Sequence, residues 1–244
     1  MILDEKPTKL VHTFLEEYIN IFPNIDKKLA LDYIKTQEKF DHLTRQWYLD
    51  LDIGLSEAYK VYNDDYYFTD LWTCFAKYSR TYLRNVRKYM HITDQKIIDL
   101  GCGIGYTTAA LKQSFPRASV WGTNLRGTKQ WDFCESIKRK YSFELVSEID
   151  ADVDIVFASE YFEHILDPIT HLDDIVSVAN PKYFIIANAF NTCSIGHFPT
   201  YYVKSEPVDQ TKISRLFNKH LRSLGYDKEK MPFFNNKPNV WRKV

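Results

Sequence analysis

The segment Lys96-Ile-Ile-Asp-Leu-Gly-Cys-Gly-Ile-Gly105 constrains the fold of this 244-residue chain more than any other. A short apolar run, Ile97, Ile98 and Leu100, leads into three glycines that alternate with other residues. Such a run reads as a buried parallel strand, and residues 107–115 read as the helix that follows it. The glycines then fall at the strand's carboxyl end, where open α/β sheets bind ligands. Glycine at 101, 103 and 105 permits dihedrals that other residues avoid, and lets main-chain N–H groups approach a ligand with no Cβ between. The dinucleotide spacing G-x-G-x-x-G would require glycine at 106, where Tyr106 stands. The turn is therefore off register for NAD.

The rest of the chain gives this turn a context. Residues 8–90 contain no glycine except Gly54, and they show apolar spacing of helical type in Leu10, Phe14, Leu15, Ile19 and again in Leu71, Phe75, Tyr78, Tyr82, Val86. From residue 96 onward, short apolar runs (96–100, 118–123, 142–146, 154–159, 183–189) alternate with helical stretches (107–115, 128–140, 168–179). That rhythm predicts βαβ units and a parallel sheet with right-handed crossovers. A helix is expected over 209–224, and a closing β hairpin from Met231-Pro-Phe-Phe-Asn235 and Asn239-Val-Trp-Arg242. The division expected is a helical region over 1–90 and an α/β domain over 91–244.

Asp99-Leu-Gly-Cys-Gly-Ile-Gly105 resembles the first motif of the class I S-adenosylmethionine-dependent methyltransferases, including the acidic residue two before the first glycine. Asp154-Ile-Val-Phe-Ala-Ser-Glu-Tyr-Phe-Glu-His-Ile-Leu-Asp-Pro168 resembles that family's fourth strand and the helix start after it. The resemblance covers about residues 96–189. It implies a Rossmann-like, mostly parallel seven-stranded sheet flanked by helices, with the N-terminal helices as a lid over its carboxyl edge. It also implies S-adenosyl-L-methionine as cofactor, and methyl transfer to an oxygen or nitrogen of a small-molecule or nucleotide-like acceptor. Cofactor contacts are expected from Asp99, Gly101, Gly103, Gly105 and Tyr106 in the first motif. Asn124 and Leu125 after the second strand, Glu148 after the third and Glu160 after the fourth complete the set. Asn124 departs from the family pattern, which has an acid there for both ribose hydroxyls. An amide bonds one hydroxyl as acceptor and the other as donor, without a carboxylate's charge-assisted strength. For the adenine, Ser147, Glu148 and Asp150 all stand at the right place.

Glu160, Glu163 and His164 form the cluster richest in chemistry. On a first helical turn their spacing would put all three on one face. In many methyltransferases of this fold the Glu-His pair supports the pocket floor. The same residues are also similar to the ligand set of metal-dependent O-methyltransferases, among them small-RNA terminal 2′-O-methyltransferases, with His197 as a further ligand. Two carboxylates and one or two imidazoles suit Mg²⁺, Mn²⁺ or Zn²⁺, and the acceptor would then be an RNA or a phenol. Without a metal, His164 and His197, with Glu163, are the candidate catalytic groups, because imidazole titrates near neutral pH.

Other features narrow the reading. No apolar run is long enough to span a bilayer, and Met-Ile-Leu-Asp-Glu-Lys lacks a signal peptide's apolar stretch, so a cytoplasmic protein without membrane attachment is expected. Cys74, Cys102, Cys134 and Cys193 have no C-x-x-C spacing, which argues against a zinc knot or a disulfide framework. With 32 basic and 32 acidic residues, a broad grip on nucleic acid is disfavoured. Residues 201–244 nevertheless carry ten Lys or Arg against four Asp or Glu, a segment that would face phosphate if the acceptor were a nucleic acid. Asn180-Pro-Lys-Tyr183 leads into the fifth strand and reads as a turn. A non-catalytic cofactor-binding module is the reading of a different class that Asn124 keeps open.

Overall fold

The computed structural model describes residues 1–233 and 237–244. Six helices precede the sheet: α1 (Pro7–Ile21), α2 (Lys27–Thr36), α3 (Glu38–Leu51), the short α4 (Leu55–Ala58), α5 (Tyr67–Cys74) and α6 (Arg80–Tyr89). Strands β1 (Lys96–Asp99), β2 (Ser119–Thr123), β3 (Glu144–Val146), β4 (Ile155–Ser159) and β5 (Tyr183–Ala187) follow. They are linked by α7 (Tyr106–Ser114), α8 (Lys129–Tyr141) and α9 (Pro168–Ala179). After β5 come a small hairpin, β6 (Thr200–Val203) with β7 (Glu206–Asp209), then α10 (Gln210–Ser223), β8 (Tyr226–Lys228) and β9 (Asn239–Lys243). The main sheet has seven strands in the order β3-β2-β1-β4-β5-β9-β8. Strands β1 to β5 are parallel, and β9 enters antiparallel between β5 and β8.

Successive residues of each inner strand point to opposite faces, and the core divides accordingly. Ile97, Val120, Ile155, Phe157 and Ile185 join one cluster with Phe14, Trp72 and Phe133. Ile98, Val156, Ala158, Phe184 and Trp241 join the other with Leu172, Phe217 and Tyr226. Burial on both faces is why the strands read as continuous apolar runs rather than alternating ones. Helix starts follow local chemistry: Asp26, Thr128, Asp167 and Asp209 each accept from a backbone N–H two or three residues on. No helix among the described residues is long and apolar enough to cross a membrane.

The N-terminal helices share the core of the sheet. Phe14 stacks on Trp72 at 4.8 Å and packs against Phe133 of α8, while Tyr18 donates to the Asp65 carbonyl. Helices α5 and α6 are joined by a π-turn, Phe75–Ser79. The added residue rotates the apolar stripe expected from Leu71 to Val86: Phe75, Tyr82 and Val86 are buried, but Tyr78 is 47% exposed. Ser79 takes the inward place and meets Ser159 Oγ at 3.1 Å.

The terminal hairpin differs from the expectation. Its first strand is Tyr226–Lys228, and residues 231–233 form none, since Pro232 has no N–H to give a ladder. Phe234 and Asn235, assigned to that strand from sequence, lie outside the described residues. The β6–β7 hairpin has no counterpart in the sequence reading, because Lys204 and Ser205, both at positive φ, carry none of the usual Asn-Gly signal of such a turn.

Sheet and glycine turn meet most closely at Gly122, where a Cβ would lie 2.8 Å from both Cys102 Sγ and Thr108 Oγ1. Gly122→Ala is expected to cost about 1–3 kcal/mol, read as a fall in Tm by thermal denaturation.

Candidate functional site

The glycine turn is built as its composition requires. Gly101, Gly103 and Gly105 have φ of 59°, 54° and 80°, values that favour glycine. At Gly101 a Cβ would also come within 2.5 Å of the Tyr161 ring. Three amides of the turn are spent within the protein. Gly101 N donates to Thr123 Oγ1 at 2.9 Å, Cys102 N to Thr123 O at 2.9 Å, and Gly105 N to Cys102 O at 2.8 Å. The amides of Gly103 and Ile104 meet no acceptor among the described residues, and both residues line a cavity. Buried amides without partners are rare in folded proteins, so this pair is available to a ligand.

The cavity holds about 480 Å³. Its floor is the glycine turn with Tyr106 and Thr107, and one wall is the α5–α6 helix with Asp70, Cys74, Tyr78 and Tyr82. The opposite wall is Ser159 and Glu160 at the end of β4, with His164, Thr192 and His197. Tyr106 is buried against Phe75 and Trp72, and its hydroxyl has no hydrogen-bond partner.

Asp99 lies beneath the turn and accepts from Thr108 Oγ1 at 2.6 Å. Burial raises its pKa to about 7, with the Thr108 bond acting in the opposite direction. Asn124 turns its side chain back onto the loop: Nδ2 donates to Gly103 O at 2.8 Å, and Oδ1 accepts from Leu125 N at 2.9 Å. Nδ2 also reaches Cys134 Sγ at 3.5 Å, so of the amide only a lone pair on Oδ1 is left over. Asn124, Leu125 and Glu148 stand outside the main cavity. Leu125 is 72% exposed, and Glu148 edges a separate cavity of about 130 Å³ with Asp150 and Trp121.

The Glu160–His164 segment departs from the expected first helical turn. Glu160 has φ of 54°, and a single 3-10 turn, Phe162–His164, follows. The chain therefore bends before it coils: Glu160 and His164 line the cavity, and Glu163 is buried outside its lining with its carboxyl still interacting with that of Glu160. Glu163 is fully buried; its Oε1 accepts from Ala189 N at 2.7 Å, and its Oε2 has no partner. Glu160 accepts from the Tyr82 hydroxyl at 3.4 Å. His164 approaches the Tyr62 hydroxyl at 3.4 Å, and its ring stands perpendicular to that of His197 at 4.9 Å. Gly196 permits this approach, for a Cβ there would collide with Tyr62 and His164. Among the described residues, no three His, Cys, Asp or Glu side chains form a group able to hold a metal ion.

Burial dominates the electrostatics. It pushes Glu160 up and Glu163 well above the ordinary carboxylate range, the charge on Glu160 adding to the second shift. It lowers His164 to about 3 and His197 to about 4, so both imidazoles are neutral at physiological pH. His197 Nδ1 lies 2.8 Å from Thr192 O, which fixes the proton on that nitrogen and leaves Nε2 with the lone pair.

Sequence reasoning missed Asp70. Its carboxyl is enclosed by protein yet faces the cavity, no described residue donates to it, and burial raises its pKa to about 7. A single acid on a polar helix position carries no motif, and only the approach of α5 to the glycine turn reveals it. Ser79, Tyr82 and Gly196 were missed for the same reason.

Known structures share this arrangement of strands and helices. The pyocyanin biosynthetic protein PhzM superposes with a TM-score of 0.50 at 14% identity, over 74% of this chain and 59% of that one. The shared fold is Rossmann-like, a mostly parallel seven-stranded sheet flanked by helices. A SAM-dependent methyltransferase from Aquifex aeolicus matches at 13% identity over 68% of this chain and 92% of its own, with a TM-score of 0.46. A precorrin-6y C5,15-methyltransferase from Geobacter metallireducens matches at 13% identity over 67% and 83%, with a TM-score of 0.42. No protein-family model matches the sequence, and no curated protein matches it significantly.

Asp70 yields a direct test. Its folded pKa of about 7 lies above the ordinary 3.8, so its ionisation is a cost to folding that begins above pH 4 and is complete above pH 7. Asp70→Asn is therefore expected to raise Tm by at least about 3 °C at pH 8 and by roughly a third as much at pH 5, because only about a third of the interval between the two pKa values lies below pH 5, measured by calorimetric melting of the ligand-free protein.

Proposed function

We propose that this protein is an S-adenosyl-L-methionine-dependent methyltransferase acting on an oxygen or nitrogen of a small-molecule or nucleotide-like acceptor. The observation that carries this reading is the pair of unpartnered amides, Gly103 and Ile104, on the floor of a cavity at the carboxyl edge of β1 and β4. Positive φ at the three glycines keeps Cβ atoms out of the way of a ligand laid across the turn. The cavity volume and the Glu160 carboxyl in its wall suit a cationic cofactor of this size.

Bound there, the cofactor supplies an electrophilic methyl group on a sulfonium. The chain's task is then alignment, exclusion of water and removal of one proton. The Gly103 and Ile104 amides receive the cofactor's polar groups, and Asn124 holds the turn in shape. Helices α5 and α6 cover the cavity and keep water out. The chemistry such a cofactor would supply is a methyl group for in-line transfer, its sulfur keeping the electron pair of the broken bond, and the proton lost by the acceptor would pass to a base on this chain.

Asp70 is the favoured base, since a pKa of about 7 lies near the working pH. His164 and His197, the bases expected from sequence, titrate too low to hold a proton at neutral pH. They serve as a neutral hydrogen-bonding wall that orients the acceptor, while Glu163 braces the floor through Ala189 N.

Calorimetric titration tests the reading, with micromolar S-adenosylmethionine binding expected and none for NADH. Absence of cofactor binding would sink it. With any acceptor that turns over, Asp70→Asn should lower kcat roughly 10²–10⁴-fold while the cofactor Kd stays within about threefold. The rise of kcat with pH through about 7 in the parent should disappear in the variant.

A further inference from the structure

A second, shallower cavity of about 480 Å³ lies apart from the candidate active site, between α10, the β8–β9 edge and the loop after β5. Arg215 and Arg222 project into it from α10 and Lys228 from the end of β8, with donor groups on Asn191, Thr211 and Asn218 around them. No carboxylate lines it. Arg242 close by is paired with Glu229, whereas Arg215, Arg222 and Lys228 have no acidic partner among the described residues.

Residues 211, 215, 218 and 222 share one helix face, and a solvated basic stripe would account for α10 alone. Two observations go beyond such a stripe. Lys228 comes from a different element and faces the same cavity, and burial together with the charge of Arg222 holds its ammonium below the usual range. The Arg222 guanidinium also lies over the Trp241 ring at 5.3 Å, and Trp241 is the register partner of Lys228 across the strand pair. Like charges gathered without a counter-charge repel one another, and an anion between them removes that cost. The guanidinium and ammonium groups with neighbouring amides and hydroxyls form the donor set that phosphate oxygens accept from. Gln210 adds a buried acceptor, Oε1, that has no partner in the protein and faces the same cavity, a place for a ligand hydroxyl.

Position ties this cavity to the first. Asn191 lines the second cavity, and the next two residues, Thr192 and Cys193, line the active-site cavity. One short loop therefore separates the two.

We propose that this cavity is a phosphoryl-binding site for the methyl acceptor, which makes the acceptor a phosphate ester reaching over the Asn191–Cys193 loop to the methyl donor. The inference rests on the methyltransferase reading for its second half only; the anion site stands on its own residues. Binding is set by charge and weakens as salt is raised.

The test uses the full chain titrated in a calorimeter with ribose 5-phosphate, which lacks a base that a cofactor site would take, and with inorganic phosphate. Ribose 5-phosphate is expected to bind more tightly than the free anion. Lys228→Gln and Arg215→Gln, both substitutions of exposed side chains, should each weaken it by about tenfold with S-adenosylmethionine binding unchanged. Binding of neither probe, or binding that both variants leave intact, overturns the site. Tighter binding of the free anion than of the ester overturns its assignment to the acceptor. Each of these outcomes is read beside a parallel cofactor titration, whose failure would instead strike the methyltransferase reading.

Discussion

The contact between the glycine turn and the end of β2 governs the architecture of the candidate site. Thr123 receives two of the turn's amides, one on its hydroxyl and one on its carbonyl, and Asn124 clasps the Gly103 carbonyl from the same strand end. Gly122 allows Cys102 and Thr108 to close over the strand, and Thr108 in turn holds Asp99. These bonds decide which amides are consumed and which remain for a ligand. They also start α7 directly at Gly105, so the first helical turn adjoins the cavity floor. A substitution that opens this contact would alter the fold and the ligand surface together.

The roof of the site depends on a different device. A regular helix from Tyr67 to Tyr89 would keep Tyr78 in the buried stripe and Ser79 out of it. The π-turn exchanges them, which aims Ser79 at Ser159 and leaves Tyr78 at the cavity mouth. Helices α1 and α5 are anchored by an aromatic stack through Phe14, Trp72 and Tyr106 that is continuous with the sheet's own core. These helices are therefore part of the same hydrophobic unit as the sheet, and Asp70 is held by packing rather than by hydrogen bonds.

Burial gives the interior a consistent electrostatic character. Carboxyls on Asp70, Asp99, Glu160 and Glu163 are all shifted up and the two imidazoles down, each in the direction that favours the neutral form. An arrangement of this kind disfavours any uncompensated charge, and a cation entering it would draw the acids back toward ionisation. The basic cavity beside α10 is the opposite case, since its cations stand near solvent with no acid to meet them. The two cavities thus differ in the charge they accept, and they are divided by the loop that carries Asn191 to Cys193.

The sequence alone determined the parallel sheet, because a strand buried on both faces must be apolar at every position and the helix period is distinct from it. It also determined the glycine turn, since three positive-φ residues in close succession favour glycine and a Cβ at 101 would meet the Tyr161 ring, and it marked His164 and His197 as close in space. Tertiary structure alone decided the rest. Glu160 was expected to share a first helical turn with Glu163 and His164, but its left-handed backbone keeps it out of that turn, and the group meets through burial and the cavity wall instead. Asn124 was read as a ribose ligand, yet its amide lies within reach of the loop carbonyl. Asp70, Ser79 and Lys228 carry no local pattern, and their roles arise from elements distant in sequence that pack together. Spacing along the chain reports local geometry; burial and convergence, which set pKa and leave amides or cations without partners, exist only once the chain has folded.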